Sequence, residues 1–199
     1  MIEWKRKYIE LIKNKYHNKP LIFIHTPKCG GSYTTSILNK LGIKSKGHKR
    51  AIKNEGINFT IIRDPIERFE SLLNYRLGED SPRKDWPKYL NYAYNNTNIT
   101  LNEIVEKMKD EDIIGFIPYY NLIYWSKNIN IFLKIDELKE FLEIFGYKYD
   151  EAEYNIINVS KKIRGKLNDE NKNKIAKLYK HDIKFFNIWT WADNSKELV

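Results

Sequence analysis

A lysine, two glycines and a run of hydroxyl side chains stand together in HTPKCGGSYTTSIL, residues 25–38. These are groups that hold a phosphate. Lys28 brings a full charge, Ser32, Tyr33, Thr34 and Thr35 bring O–H donors, and Gly30 and Gly31 let the backbone approach a ligand or take a positive φ. A Walker A loop runs G-x-x-x-x-G-K-[ST], with its lysine after the glycines. Here Lys28 comes before them. A second group of polar residues lies in INFTIIRDPIERFESLLNY, residues 57–75, which carries Arg63, Arg68 and Ser71.

The elements that must position these groups can be read from the flanking residues. LIFIH, residues 21–25, is a short apolar run that reads as a buried strand. Pro27 breaks it. From Ser32 onward Ile37, Leu38 and Leu41 keep helical spacing. Strand, tight loop and helix follow one another, and a helix N-terminus with its unpartnered N–H groups attracts an anion. INFTII is a second strand. Asp64 followed by Pro65 starts a helix as N-cap and N1 proline, and Ile66, Phe69, Leu72 and Leu73 form its apolar face. Arg63 falls at the carboxyl end of the strand, where open α/β sheets bind ligands. Arg68 is read as a surface partner of Asp64 or Glu67.

PKCGGSYTTSIL followed by IIRDPIERFESLLNY resembles the sulfotransferases that use 3′-phosphoadenosine 5′-phosphosulfate (PAPS), and within them the carbohydrate branch of heparan and chondroitin type. IINVSKKIRGKLNDENKNKIAKLYKHDIKFFN, residues 156–187, resembles the tail of the same branch. The resemblance implies that Lys28, Cys29, Gly30, Gly31, Ser32, Tyr33 and Thr34 surround the 5′-phosphosulfate. It implies that Arg63 and Ser71 take the 3′-phosphate. Tyr33 stands where Ser or Thr is more typical. The elements concerned are 21–41, 57–75 and 155–187 of a single domain, 1–199. The region 76–128 is left for the acceptor side. Together with the strand–loop–helix pattern, this implies a P-loop-like three-layer α/β fold with a central parallel sheet flanked by helices.

The family chemistry accounts for the order of lysine and glycines. PAPS has no β,γ-phosphates to be bridged by magnesium, and no metal is expected. Its 5′-bridging oxygen gains charge as the sulfuryl group leaves, so a fixed cation at that oxygen stabilises the transition state. The acceptor is a hydroxyl of a carbohydrate or small molecule, and the product nucleotide is 3′,5′-ADP. A general base contributes about 10²–10⁴-fold in such a transfer. His48 is the candidate, because heparan-type enzymes place a base histidine between the two PAPS elements. Glu55 is the next candidate. His25, beside the loop, orients it. His17 and His181 are read as surface residues.

Composition narrows the classes. At 199 residues the chain has ample length for one core. Its 14% aromatic content argues against disorder. The net charge of +9 suits an anionic co-substrate or acceptor. No zinc-ligand spacing, RNP-type signature or long basic arm supports specific nucleic-acid binding. Cys29 is the only cysteine, which excludes an intramolecular disulfide. It is read as a small side chain filling the loop. No signal-peptide core or membrane-spanning apolar run is present, so the expectation is a soluble, cytoplasmic enzyme.

Helical patterns cover 2–16, 32–41, 65–77, 86–95, 101–109, 137–146 and 168–185. A third strand is read at 129–136 and a loop at 77–87. Thr100 and Glu103 form a capping box, and Asp136 and Asn168 are N-caps. Most of Trp86, Tyr89, Tyr92, Tyr94, Tyr119, Tyr120 and Trp125 are read as core, with one or two available as a sugar platform. Two other classes fit part of the pattern. A P-loop kinase would need ATP and magnesium, and the missing Walker lysine counts against it. A non-enzymatic module would bind 3′,5′-ADP and transfer nothing.

Overall fold

A computed structural model describes residues 1–77, 93, 95–96, 98–115, 122–150 and 164–190. Most of the helix expected at 86–95, most of the loop at 77–87 and all of the aromatic set except Trp125 lie outside these residues. So does the first part of the tail motif. The chain forms two units. The first comprises Met1–Arg63, Leu122–Asn158 and Phe185–Val199, and the second Asp64–Asn121 and Val159–Lys184.

The first unit is built on a four-stranded, all-parallel sheet in the order β2-β1-β3-β4. The strands are β1 (Leu21–Phe23), β2 (Lys44–Ser45), β3 (Ile57–Ile61) and β4 (Ile131–Leu133). All residues of β1, β3 and β4 are buried, as parallel strands covered on both faces require. The alternation of side chains makes this concrete. Leu21 and Phe23 enter the main cluster with Ile37, Leu38 and Phe141, whereas Ile22 and Ile24 enter a second cluster with Ala51 and Trp125. Helices α1 (Glu3–Lys15), α2 (Gly31–Lys40), α6 (Leu122–Ser126) and α7 (Leu138–Ile144) flank the sheet. The fold is therefore α/β with a parallel sheet between helices.

β2 escapes the sequence reading. Its two residues, Lys and Ser, carry no apolar signal, and they sit at the sheet edge, where short polar strands are favoured. The third strand is shorter than 129–136. After Leu133 the chain enters a 3₁₀ turn, Ile135–Glu137, and Glu137, not Asp136, occupies the N-cap position of α7. Glu137 is drawn inward by Lys5 of α1, whose buried ammonium donates to its carboxylate, and by the Lys134 N–H. The 3₁₀ turn leads directly into α7, and Glu137 makes no side-chain bond to the start of that helix.

The second unit is helical: α3 (Pro65–Arg76), α4 (Leu101–Lys107), α5 (Asp110–Gly115) and α8 (Asp169–Leu178). Helix α9 (Lys180–Thr190) begins here and ends in the first unit. Phe69, Leu72, Leu73, Ile104, Val105 and Ile175 form its core. The caps lie where the sequence puts them. Asp64 Oδ1 accepts from the Ile66 and Glu67 N–H groups, Thr100 and Glu103 make the reciprocal box, and Asn168 Oδ1 accepts from the Asn171 N–H. The pattern over 101–109 breaks at Met108, which is extended, and a new helix starts at Asp110. The pattern over 168–185 breaks at Tyr179, whose hydroxyl donates to Ile113 O and whose ring packs near Phe69. Arg68 corrects the surface reading: it is 3% exposed. It lies close enough to Tyr179 to act on that phenol, as does buried Asp182.

Candidate functional site

The chain runs from β1 through α2 to β2 on one side of β1, then crosses to β3 on the other. The strand order thus reverses between β1 and β3. Open α/β sheets bind ligands in the crevice outside the carboxyl ends of the strands at such a point. The segment after β1 carries His25 to Gly31, and the segment after β3 carries Arg63.

Two threonines lock the strand ends together. Thr60 Oγ1 donates to Ile24 O at 2.7 Å and takes a bond from Thr26 Oγ1 at 2.7 Å, all buried. Beyond them the loop turns sharply. Lys28 has φ 61° and Gly30 φ 80°. Glycine adopts this region freely, but a lysine there is held by its surroundings against a local cost, a feature that concentrates at functional sites. Gly30 is the N-cap of α2, and its carbonyl accepts from the Thr34 N–H and Oγ1. The N–H groups at the start of α2 therefore open onto the turn that carries Lys28.

The site residues divide by environment. Lys28 and Arg63 are half-buried, and Gly30 and Ser32 are exposed. Burial and the nearby Arg63 guanidinium lower the Lys28 pKa, with Cys29 acting weakly the other way. The two cations named from separate motifs are thus electrostatic neighbours at the switch point. Cys29 is buried in the main cluster, its Sγ 3.6 Å from Pro27 O, and fills the loop from within. Tyr33 packs against the same cluster. Thr34 is fully buried, and its hydroxyl donates to the Gly30 carbonyl, bracing the turn. Ser71 lies half-buried on α3, in the second unit.

The histidines are placed more closely than their spacing suggests. The His25 N–H donates to Gly47 O, bringing the His48 segment to the loop. The ring centroids of His25 and His48 are 4.3 Å apart, with the planes at 62°. The His25 ring also stacks on Phe23, at 6.1 Å and 19°. Burial, His48 and Lys28 lower the His25 pKa to about 4, and partial loss of water around an otherwise exposed ring lowers that of His48. Both rings are therefore neutral at neutral pH, the state a proton acceptor needs. Glu55 differs. Lys46 and Lys44 both donate to its carboxylate and hold it below the usual carboxylate range, which makes it a weaker proton acceptor. Two residues past His48, the Arg50 guanidinium lies 3.3 Å from the centroid of the Tyr124 ring. No motif links those two positions, and only the fold brings them together. His17 and His181 are exposed.

Among the described residues no cluster of three or more His, Cys, Asp or Glu side chains could hold a metal ion. No described helix is long and apolar enough to cross a membrane. No family model matches the chain, and neither a curated protein nor a solved structure matches it.

Proposed function

We propose that the chain is a PAPS-dependent sulfotransferase with a P-loop-like three-layer fold. It transfers the sulfuryl group to a hydroxyl of a carbohydrate or small-molecule acceptor. One observation carries the reading: the loop cation Lys28 and the motif cation Arg63 are electrostatic neighbours at the carboxyl ends of adjacent parallel strands. Together they place positive charge at the carboxyl ends of the strands, where it would attract a multiply charged anion. A co-substrate with phosphates at both the 5′ and 3′ positions has an anion for each motif.

PAPS, when bound, supplies an activated sulfuryl group on its 5′-phosphate. The residues of the chain do the rest. Lys28 and the N–H groups opening α2 oppose the negative charge that grows on the bridging oxygen as the sulfur–oxygen bond breaks. Arg63 holds the 3′-phosphate, with Ser71 as the partner the sequence motif assigns. His48, neutral and exposed, accepts the proton of the acceptor hydroxyl as its oxygen bonds to sulfur. Glu55, held as a carboxylate by its lysines, is a poor substitute.

The test is ligand-induced stabilisation. A ligand at 100 times its Kd adds about 2.7 kcal/mol to stability. For a protein of this size that raises Tm by roughly 5–11 °C, at about 2–4 °C per kcal/mol. 3′,5′-ADP should do this at concentrations where 5′-AMP does much less, and Arg63→Ala should erase the difference. Labelled-sulfate transfer from PAPS to pooled glycans should then show turnover. Equal stabilisation by the two nucleotides removes the assignment. Selective 3′,5′-ADP binding without turnover to any acceptor leaves a nucleotide-binding module.

A further inference from the structure

Gly31 has no Cβ, and the space where one would stand is taken by another residue. A Cβ built there would lie 1.8 Å from Cδ2, 1.9 Å from Nε2 and 2.5 Å from Cγ of His25. The imidazole is thus seated directly on the first residue of α2. Phe23 stacks on it, and the backbone N–H of the same residue donates to Gly47 O. His48 packs edge-on against it, 4.3 Å away between centroids. Three contacts from three parts of the chain hold this ring, although its only assigned role is to orient the loop.

On the reading in which His48 accepts the acceptor's proton, we propose that His25 is a positioning residue: its imidazole, seated on Gly31, holds the His48 ring edge-on and so fixes the base to the helix start that receives the anion. The groups around His25 make this workable. The charged or titratable neighbours that act on it are His48 and Lys28, while β1 presents Phe23 and α2 presents Gly31. A proton on His25 would face a cation and a second imidazole, so the ring stays neutral. As a neutral ring, it excludes water from one side of His48 and disfavours the imidazolium there. Packing therefore keeps His48 in its accepting form. An aromatic ring of similar size should do the same without any ring nitrogen.

The experiment is a histidine Hε1 proton titration by NMR on the full chain, with His48→Gln used for assignment. His48 should titrate below 6.5 in the wild type. His25→Ala should move its midpoint up toward 6.5, and His25→Phe should leave it low. An unchanged midpoint in His25→Ala overturns the proposal, as does a midpoint in His25→Phe equal to that in His25→Ala. His48→Gln supplies a reciprocal reading that does not depend on His25→Ala folding. It should raise the His25 midpoint above about 4, and an unmoved midpoint counts against the contact. With PAPS and an acceptor, the acid limb of kcat/KM should follow the His48 midpoint from variant to variant. A merely structural role would lower the amplitude and leave the limb in place. If the limb stays put while transfer persists, the positioning role falls and the sulfotransferase reading stands. If the midpoints move as expected and the wild type transfers nothing, the packing of His25 on His48 stands and the sulfotransferase reading falls.

Discussion

Gly31→Ala tests the geometry of the loop without any ligand. The new methyl carbon would lie 1.8 Å from His25 Cδ2, where ordinary contacts begin at 3.4 Å. The imidazole would have to retreat by well over an ångström. It is a rigid ring, with Phe23 stacked on it and His48 against it, so it cannot swing aside as a lysine would. Overpacking of this kind costs about 1–3 kcal/mol. Replacing glycine by alanine in a helix returns up to about 1 kcal/mol. The net loss is then about 0–3 kcal/mol, or up to roughly 12 °C in Tm at this chain length. Denaturation of the single and double variants measures it. In a His25→Ala background the obstacle is gone, and Gly31→Ala should be neutral or stabilising. The coupling between the two positions should be on the order of 1–3 kcal/mol. Gly30→Ala is the control. Its Cβ meets only Ile135 at 3.4 and 3.7 Å, and its cost of about 1–2 kcal/mol comes from φ 80°, whatever stands at 25. Equal effects of Gly31→Ala in the two backgrounds would refute the contact.

Lys28→Ala should reduce kcat far more than it weakens PAPS binding, because its charge acts as the leaving oxygen becomes negative; a raised KM at constant kcat would make it a ground-state anchor only. His48→Ala should leave 3′,5′-ADP affinity intact and lower transfer about 10²–10⁴-fold, whereas a raised acceptor KM with a near-normal kcat removes His48 from the mechanism. Stability should fall as pH drops from 6.5 to about 4. Over that window the unfolded state takes up a proton at His25 that the folded state does not, so folding is favoured above it and the contribution is lost below it. The ceiling is roughly 3 kcal/mol from the two pKa values, reduced to about 1–2 kcal/mol by solvent screening of a half-buried ring. A His25→Phe curve as steep as the wild type over that window would show that other groups carry the loss.

Local chemistry made the elements legible. Asp64–Pro65, Thr100 with Glu103, and Asn168 set helix starts through bonds that span three residues or fewer, so short-range sequence suffices to place them. Three short runs rich in apolar residues placed three strands, and the helical patterns between them pointed to a parallel sheet. The PKCGG loop was readable for the same reason: a proline, a lysine and two glycines define a turn among themselves. What depends on packing was not readable. Nothing in the Lys44–Ser45 dipeptide announces an edge strand, since its pairing is with Ile22 and Phe23, far earlier in the chain. Asp136 has the side chain of a cap, yet it lies within a 3₁₀ turn that leads into the helix, and Glu137 stands at the N-cap position. Arg68 has the charge of a surface residue and lies buried near Tyr179 and Asp182. The candidate base depends most on tertiary structure. The sequence alone offers His25, His48 and Glu55 as titratable groups near one loop. Only the fold sets the two imidazoles edge to face on a glycine and surrounds the carboxylate with lysines. Proton affinity is fixed by burial and by charges within a few ångströms, and those distances exist only once the strands have paired.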